Sequence, residues 1–248
     1  MKRNLLYLCM MIFLLASCQQ DELTDMASNH VGYLSIQSVE AQVGAVELVQ
    51  SRAVDNDFIV EIHKDGALYN SMKYEAGAVP EKIELPAGQY QLVVYNDAYI
   101  TSANWTNEDQ GEPVYYLAKD FTMVEGQVNT VTASVPMINF GVTYTLPTNF
   151  DTHFTGIQLK VTVGNRVVIL AHNTDESQMG EDVAYFMIPT VAEGEEAPTF
   201  QYWITATNAD GEEHNTSNTY KQSTGKDLAP GTIYNVTYQV ASRSWTCE

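Results

Sequence analysis

The stretch from residue 138 to residue 146 reads Ile-Asn-Phe-Gly-Val-Thr-Tyr-Thr-Leu, and it decides the fold class. Its large apolar side chains recur at every second position, which is the repeat of a β-strand and not of a helix. One face of this strand carries Ile138, Phe140, Val142, Tyr144 and Leu146. The opposite face carries Asn139, Gly141, Thr143 and Thr145, and we expect it to be wet.

The same alternation recurs elsewhere in the chain, at residues 58–62, 157–163 and 200–206. Turn dipeptides that contain glycine follow these segments, at Asp65-Gly66, Gly164-Asn165 and Asp210-Gly211. After the last of these turns we expect a long polar excursion that reaches Thr219. No segment after residue 17 has a convincing helical period. The pattern therefore predicts an all-β chain whose short strands pack as β-sandwiches.

A repeated turn motif predicts that the sandwich is present twice. Residues 85–90 read Leu-Pro-Ala-Gly-Gln-Tyr, and residues 228–234 read Leu-Ala-Pro-Gly-Thr-Ile-Tyr. In both places a proline–glycine turn leads into a strand through a tyrosine, at a similar depth in each half of the chain. We place the boundary near Pro136, with one sandwich over residues 32–136 and the other over residues 137–248. A single domain of this size is the alternative.

The amino end has the pattern of an export signal. Lys2 and Arg3 precede an apolar stretch over residues 5–16. As a helix this stretch would span about 18 Å, less than the roughly 30 Å core of a bilayer, so a cleaved signal is favoured over an anchor. The sequence Leu15-Ala16-Ser17-Cys18 that follows resembles the lipobox of bacterial lipoproteins.

The lipobox resemblance has several implications. Residues 1–17 would be removed, Cys18 would carry acyl chains such as palmitate, and residues 18–31 would form a tether on the outer membrane. The acidic pair Asp21-Glu22 lies close to that cysteine and looks like the surface-export signal of Bacteroidetes lipoproteins. It implies that the protein faces the cell exterior.

Charge and cysteine content limit the possible partners. The chain has 31 acidic and 12 basic residues, for a formal charge of −19. Such a surface repels phosphate backbones, which excludes nucleic-acid binding. Cys9 leaves with the signal and Cys18 is alkylated, so Cys247 has no partner for an intramolecular disulfide and the fold must rest on its hydrophobic cores. We expect Cys247 to lie in a short inert tail, with cross-linking of subunits as the alternative.

Four segments together resemble a group of surface proteins. They are Gly32-Tyr33-Leu34-Ser35-Ile36, residues 58–62, residues 85–90, and Tyr115-Tyr116 followed by residues 119–126. They look like an uncharacterised domain family of Bacteroidetes surface lipoproteins that is similar to the fimbrillin-like adhesins. The resemblance covers most of residues 32–240. It implies two tandem transthyretin-like sandwiches, a role in adhesion or as a fimbrial accessory, and no catalytic residue.

Motifs of catalysis and of metal binding are not found in the sequence. The five histidines are scattered, and none belongs to a short-spaced His or Cys ligand pair, so no zinc site is predicted. A glycine-rich phosphate loop and a Gly-x-Ser-x-Gly elbow are also missing. We therefore predict neither an enzyme nor a bound cofactor.

Aromatic residues suggest a second possible function. The long loop over residues 97–113 carries Tyr99 and Trp105, and aromatic side chains in such loops can stack on sugar rings. Trp203 is a further candidate, because its position in the alternation is opposite to the apolar face of its strand. These residues predict host or dietary glycans as ligands, with a role in polysaccharide uptake as the alternative to adhesion. The alternative to ligand binding is that Trp105 has a structural role and folds back as a lid over the end of its sandwich.

The bond between Arg52 and Ala53 is a candidate processing site. In fimbrillins, a trypsin-like cut after an arginine removes the first strand, and a strand of another subunit fills the groove. By this resemblance, cleavage here would release the strand over residues 32–39, either an edge or an inner strand. Other fimbrial subunits would then be the partners. The alternative is that Arg52 is simply a solvated side chain in a polar loop.

Overall fold

The computed structural model describes residues 31–42, 58–146, 150–171, 183–239 and 244–247. These residues form strands β1 to β15 and two helices of five residues each, so the prediction of an all-β sandwich fold is confirmed. Cys18 and the Arg52-Ala53 bond lie outside the described residues. Within the described part of the chain, no helix is long and apolar enough to cross a membrane.

The first half of the chain contains seven strands in two sheets. They are β1 (Val31–Gln42), β2 (Phe58–Lys64), β3 (Ala67–Glu75), β4 (Ile83–Pro86), β5 (Gly88–Asn96), β6 (Tyr116–Met123) and β7 (Val128–Pro136). The strand orders are β4-β1-β7 and β3-β2-β5-β6. All paired strands are antiparallel except β1 and β7, which are parallel. Helix α1 (Asp97–Thr101) begins the long connection from β5 to β6.

The second half contains eight strands, also in two sheets. They are β8 (Phe140–Thr145), β9 (Phe154–Val163), β10 (Arg166–Ala171), β11 (Ala184–Phe186), β12 (Gln201–Asn208), β13 (Glu213–Thr219), β14 (Ile233–Gln239) and β15 (Ser244–Cys247). The orders are β11-β8-β14-β15 and β10-β9-β12-β13, and the parallel pair is β8 with β14. Helix α2 (Tyr220–Thr224) follows β13.

The strand order of the second half repeats that of the first. Strands β8 to β14 take the places of β1 to β7, and the parallel pair recurs at the same place in each half. Only β15 has no counterpart among the described strands of the first half. The two halves are therefore sandwiches of one topology joined in tandem.

The turn motif that suggested this duplication does not occupy equivalent positions. In the first half it leads into β5, whereas in the second it leads into β14, the counterpart of β7. Each tyrosine instead stabilises its own turn. The Tyr90 hydroxyl donates to the carbonyl of Pro86 at 3.0 Å, and the Tyr234 hydroxyl accepts from the N–H of Ala229 at 2.8 Å. The repeated motif is thus a local turn, stabilised by a tyrosine, that occurs twice in the chain and does not mark equivalent strands.

Each half encloses its own hydrophobic core between its two sheets. The first core includes Leu34, Val60, Ile62, Leu92, Val94 and Val135. The second includes Phe140, Leu159, Val161, Phe200, Tyr202 and Val236. Full burial of one such side chain is worth roughly 1.5–3 kcal/mol. Strand β7 ends at Pro136 and β8 begins at Phe140, so residues 137–139 join the two sandwiches, and Met137 is buried in the first core.

The wet face expected for β8 is wrong. Asn139, Gly141 and Thr143 are buried instead, and only Thr145 of the four residues is exposed as expected. The reason is that this face is covered by side chains of Val183, Tyr185 and Ile233 at Gly141 and by the β5–β6 loop at Asn139. A Cβ atom on Gly141 would lie 2.6 Å from Val183 Cγ1 and 3.3 Å from Ile233 Cγ1, which leaves no room for a side chain.

Two other expectations about the second half are corrected. The polar excursion that ends at Thr219 is strand β13, which pairs with β12 across the Asp210-Gly211 turn. It lacks apolar alternation because it is an edge strand that is exposed along most of its length. Cys247 belongs to β15 and is 4% exposed in the second core, so it does not lie in a free tail.

Candidate binding surfaces

The long connection between β5 and β6 lies against the second sandwich. The N–H of Glu108 donates to the carbonyl of Val167 at 2.9 Å, and the N–H of Tyr185 donates to the carbonyl of Gln110 at 2.6 Å. The side-chain oxygen of Asn107 accepts from the N–H of Val167 at 3.0 Å. These bonds attach the loop to β10 and β11, so it is not free for a ligand along its whole length.

Arg166, the first residue of β10, holds the middle of this loop. Its guanidinium donates to the carbonyl oxygens of Thr106, Asp109 and Tyr185. Burial lowers the pKa of Arg166, and the nearby carboxylate of Asp109 acts in the opposite direction. Arginine retains its charge under these conditions. The three carbonyl oxygens replace the water that the half-buried guanidinium loses, so backbone groups satisfy this cation.

Trp105 is part of the same junction. Its half-buried ring lies 5.0 Å from the centre of the Arg166 guanidinium, an arrangement typical of a cation–π contact. Next to it is an open groove of about 260 Å³ whose lining includes Ser102, Trp105, Asn165, Arg166, Met187 and Pro189. Trp105 therefore packs on the second sandwich and does not form a lid on its own.

Asn139 completes the junction and is fully buried. Its side-chain oxygen accepts from the N–H of Val114, and its side-chain nitrogen donates to the carbonyl of Glu112, both at 2.9 Å. Its own carbonyl accepts from the N–H of Gly231 at 2.8 Å. One side chain and its backbone thus connect the β5–β6 loop, the link between the sandwiches and the turn before β14.

Our sequence reasoning missed both Arg166 and Asn139. Two features of the sequence point to them in retrospect. Arg166 is one of only 12 basic residues and follows a hairpin turn directly, and Asn139 is a polar residue between two large apolar ones just after the predicted boundary.

Tyr99 lies on the outer face of the sheet β3-β2-β5-β6. Its ring stacks on Tyr116 with 4.5 Å between centroids and lies 5.5 Å from the ring of Tyr95. It is 38% exposed, so part of the ring can contact a partner. Burial raises the pKa of the Tyr116 phenol, and Tyr99 adds to that rise.

The same face carries a hydrogen-bonded polar network around Glu61. One carboxylate oxygen accepts from the Tyr95 hydroxyl at 2.6 Å and lies 3.2 Å from Lys73 Nζ. The other lies 2.8 Å from His63 Nε2. Burial opposes ionisation of Glu61, but the hydrogen bonds from Tyr95, His63 and Lys73 outweigh it and lower the pKa of the carboxyl group. Glu61, His63, Lys73 and Tyr95 are therefore bonded within one network on this face.

Trp203 lies on the outer face of the corresponding sheet in the second sandwich. Its chain neighbours Tyr202 and Ile204 are buried in the core, whereas Trp203 itself is partly exposed. Lys160 Nζ lies 5.2 Å from its ring centroid. Across the sheet, Trp203 pairs with Lys160 of β9 and with Ser217 of β13.

The three aromatic candidates do not share a set of neighbours. Tyr99 contacts the outer face of the first sandwich, Trp105 the junction, and Trp203 the outer face of the second sandwich. In the described ranges there is also no group of three or more His, Cys, Asp or Glu residues placed to hold a metal ion.

Comparisons with known proteins agree with the resemblance inferred from the sequence. A family model described as a domain of unknown function, DUF4493, matches residues 30–246. No curated protein matches the chain.

Several solved structures are similar in fold. A fimbrilin from Porphyromonas gingivalis W83 is 9% identical over 87% of this chain and 95% of its own, with a TM-score of 0.45. A Bacteroides uniformis ATCC 8492 protein proposed to act in cell adhesion is 13% identical over 77% of this chain and 90% of its own, with a TM-score of 0.47. A Bacteroides thetaiotaomicron VPI-5482 protein proposed to bind polysaccharide is 12% identical over 85% of this chain and 91% of its own, with a TM-score of 0.39.

Proposed function

The chain belongs to the DUF4493 family, and we propose that it is a non-catalytic cell-surface lipoprotein with a fimbrillin-like role in adhesion or as a fimbrial accessory subunit. In this role, acyl chains on Cys18 hold the uncleaved precursor at the outer membrane, and a cut after Arg52 would separate these chains from the sandwiches. The tandem sandwiches carry their surfaces away from the membrane, and the hydrogen bonds of Asn139 and Arg166 to the β5–β6 loop stiffen the joint between them.

The position of β1 is the observation that carries this proposal. Strand β1 lies between β4 and β7, with four residue pairs to β4 and nine to β7. Leu34, near its start, is fully buried in the first core. Among the described strands, β4 and β7 pair with no other neighbour in their sheet. Loss of β1 would therefore leave an apolar groove between two unpaired strand edges.

Such a groove is a site for strand addition, in which a segment of another chain supplies the missing backbone hydrogen bonds. The Arg52-Ala53 bond follows the end of β1 at Gln42 and precedes the start of β2 at Phe58. Cleavage there would leave β1 held only by non-covalent contacts. We infer that this cut releases β1 and that a strand of another subunit replaces it.

N-terminal sequencing and gel analysis together test this proposal. Protein shed from cells should begin at Ala53, and unboiled extracts should show a ladder of high-mass species. The Arg52→Ala variant should begin at the modified Cys18 and give a single band. Arg243→Ala, which removes an arginine elsewhere, should behave as the wild type. A wild-type protein that begins only at Cys18 and gives no ladder would contradict the proposal.

A further inference from the structure

We propose that the outer face of the sheet β10-β9-β12-β13 binds a neutral saccharide chain, with Trp203 as the platform on which a sugar ring stacks. This inference concerns a surface other than the β1 groove. It does not require that subunits polymerise. It names neutral saccharides as the class of ligand that an adhesive surface protein of this kind would bind.

The geometry places Trp203 in the interior of this face. Strand β12 is an inner strand, paired with β9 on one side and β13 on the other. The row across the sheet through Trp203 contains Ile169, Lys160 and Ser217 on the neighbouring strands. The ring is therefore flanked by side chains of both neighbouring strands, at about 4.8 Å strand spacing. Lys160 Nζ lies over the ring at 5.2 Å from its centroid, so a sugar would stack on the part of the ring that Lys160 leaves exposed.

The chemistry around the ring matches a polyhydroxylated ligand. Apart from Lys160 and Ile169, its neighbours on the same face carry amide or hydroxyl groups, and they include Gln158, Thr162, Gln201, Thr205, Asn215 and Ser217. Amides and hydroxyls both donate and accept hydrogen bonds, as sugar hydroxyls do, and an aromatic face suits the apolar face of a sugar ring.

Several of these polar groups remain available. Gln158, Gln201 and Ser217 are exposed, and within the described residues their side chains make no hydrogen bond to the rest of the protein. Asn215 is engaged differently, because it donates to Glu213 at 2.8 Å. A ligand on this face would thus gain hydrogen bonds without breaking an internal network.

The charge of the face favours a neutral ligand. Its outward positions include only two charged residues, Lys160 and Glu213, although the chain has 31 acidic residues. A polyanionic saccharide would be repelled by the net charge of −19. A basic protein partner would find many acidic surfaces elsewhere and little to attract it here.

The corresponding face of the first sandwich shows that this composition does not follow from the fold. There, the outward positions include Glu61, Lys73, Glu75 and Asp120. The Glu61 carboxylate is already bonded to Tyr95 and Lys73. The same strand order therefore supports a charged face in one sandwich and a neutral face rich in hydrogen-bonding groups in the other.

Affinity electrophoresis of the full protein tests the inference. Native gels would contain one neutral polysaccharide each (starch, laminarin, galactomannan or xyloglucan) or an anionic one (polygalacturonate or chondroitin sulfate). We expect at least one neutral polysaccharide to retard the wild type and neither anionic one to do so. Trp203→Ala should weaken retardation about tenfold, the size expected for a lost stacking contact. Trp203→Tyr, which keeps an aromatic ring, should retain part of it.

Trp105→Ala is the matched control, because it removes a tryptophan from the junction and should leave retardation unchanged. Thermal melting of each variant checks that it is folded. The inference is overturned if no neutral polysaccharide of the panel retards the protein, if only an anionic one does, or if folded Trp203→Ala behaves as the wild type. None of these outcomes affects the processing of Arg52, which is read from the N-terminus and the high-mass ladder.

Discussion

The two sandwiches share one strand order but differ where they meet solvent and where they meet each other. The outer face of β3-β2-β5-β6 carries a network in which Glu61 bonds to His63, Lys73 and Tyr95, whereas the outer face of β10-β9-β12-β13 presents amides and hydroxyls around Trp203. The inner faces are alike, since each is packed with apolar side chains. The topology thus fixes which positions are buried and leaves the outward positions free to diverge.

The connections between corresponding strands differ as well. Strands β12 and β13 are joined by a tight turn at Asp210-Gly211, but the equivalent strands β5 and β6 are joined by a long loop that crosses to the second sandwich. The loop between the sandwiches therefore comes from the first half, and Arg166 and Asn139 of the second half bind its carbonyl oxygens. The difference shows that the repeat is structural, while the contact between the repeats is not symmetrical.

Substitutions in the two cores should have the largest effects and test whether the sandwiches are separate units. Leu92 of β5 and Ile204 of β12 are buried in different cores on corresponding strands. Truncation of either to alanine should lower the free energy of unfolding by about 2–5 kcal/mol. Hydrogen exchange should show that each variant loses protection mainly in its own half. Equal loss in both halves would mean that they unfold as one unit.

Arg166→Ala should come next, because it removes three hydrogen bonds of a half-buried cation and its contact with Trp105. We expect a loss of about 2–3 kcal/mol, within the range for hydrogen bonds to charged groups. Amide exchange should rise at residues 105–110. Lysine should not restore stability, because it cannot present the same planar set of donors.

The matched control for Arg166 is Lys160→Ala on the neighbouring strand. Lys160 is exposed and makes one cation–π contact with Trp203, worth about 0.5–1 kcal/mol at such a site. Its removal should leave exchange at residues 105–110 unchanged. If both variants raise exchange there, the loop is not held by Arg166 in particular.

Much of the fold follows from alternation, and the deviations have physical causes. Residues 157–163 and 200–206 form strands with the predicted buried faces, because each strand buries one side. The alternation over residues 138–146 predicted the β8 strand correctly but did not predict the burial of Asn139 and Gly141. A local pattern does not reveal which parts of the chain will cover a strand.

The candidate surfaces were predicted less completely than the strands. The alternation put Trp203 opposite the apolar face, but its amide and hydroxyl neighbours come from β9 and β13, and their register is set by pairing across the sheet. Trp105 was recognised only as a loop aromatic, since its partner Arg166 lies some sixty residues away. Long-range contacts of this kind leave no periodic trace in the sequence.

The smallest expected effect concerns Glu61 and tests whether the first outer face is satisfied internally. Its lowered pKa means that the folded state favours the carboxylate, so the stabilisation is present above the unfolded pKa and is lost as the pH falls through the folded value. Glu61→Gln should therefore cost about 1 kcal/mol at pH 7 and much less near pH 3. Tyr95→Phe, which removes one donor, should give a smaller change with the same sign.

Thermal melting at both pH values measures the difference. The control is Gln89→Ala, which breaks only a neutral hydrogen bond to Thr122 on this face. If Glu61→Gln costs the same at both pH values, the carboxylate is not stabilised by its neighbours, and the contrast between a satisfied face and an open one fails.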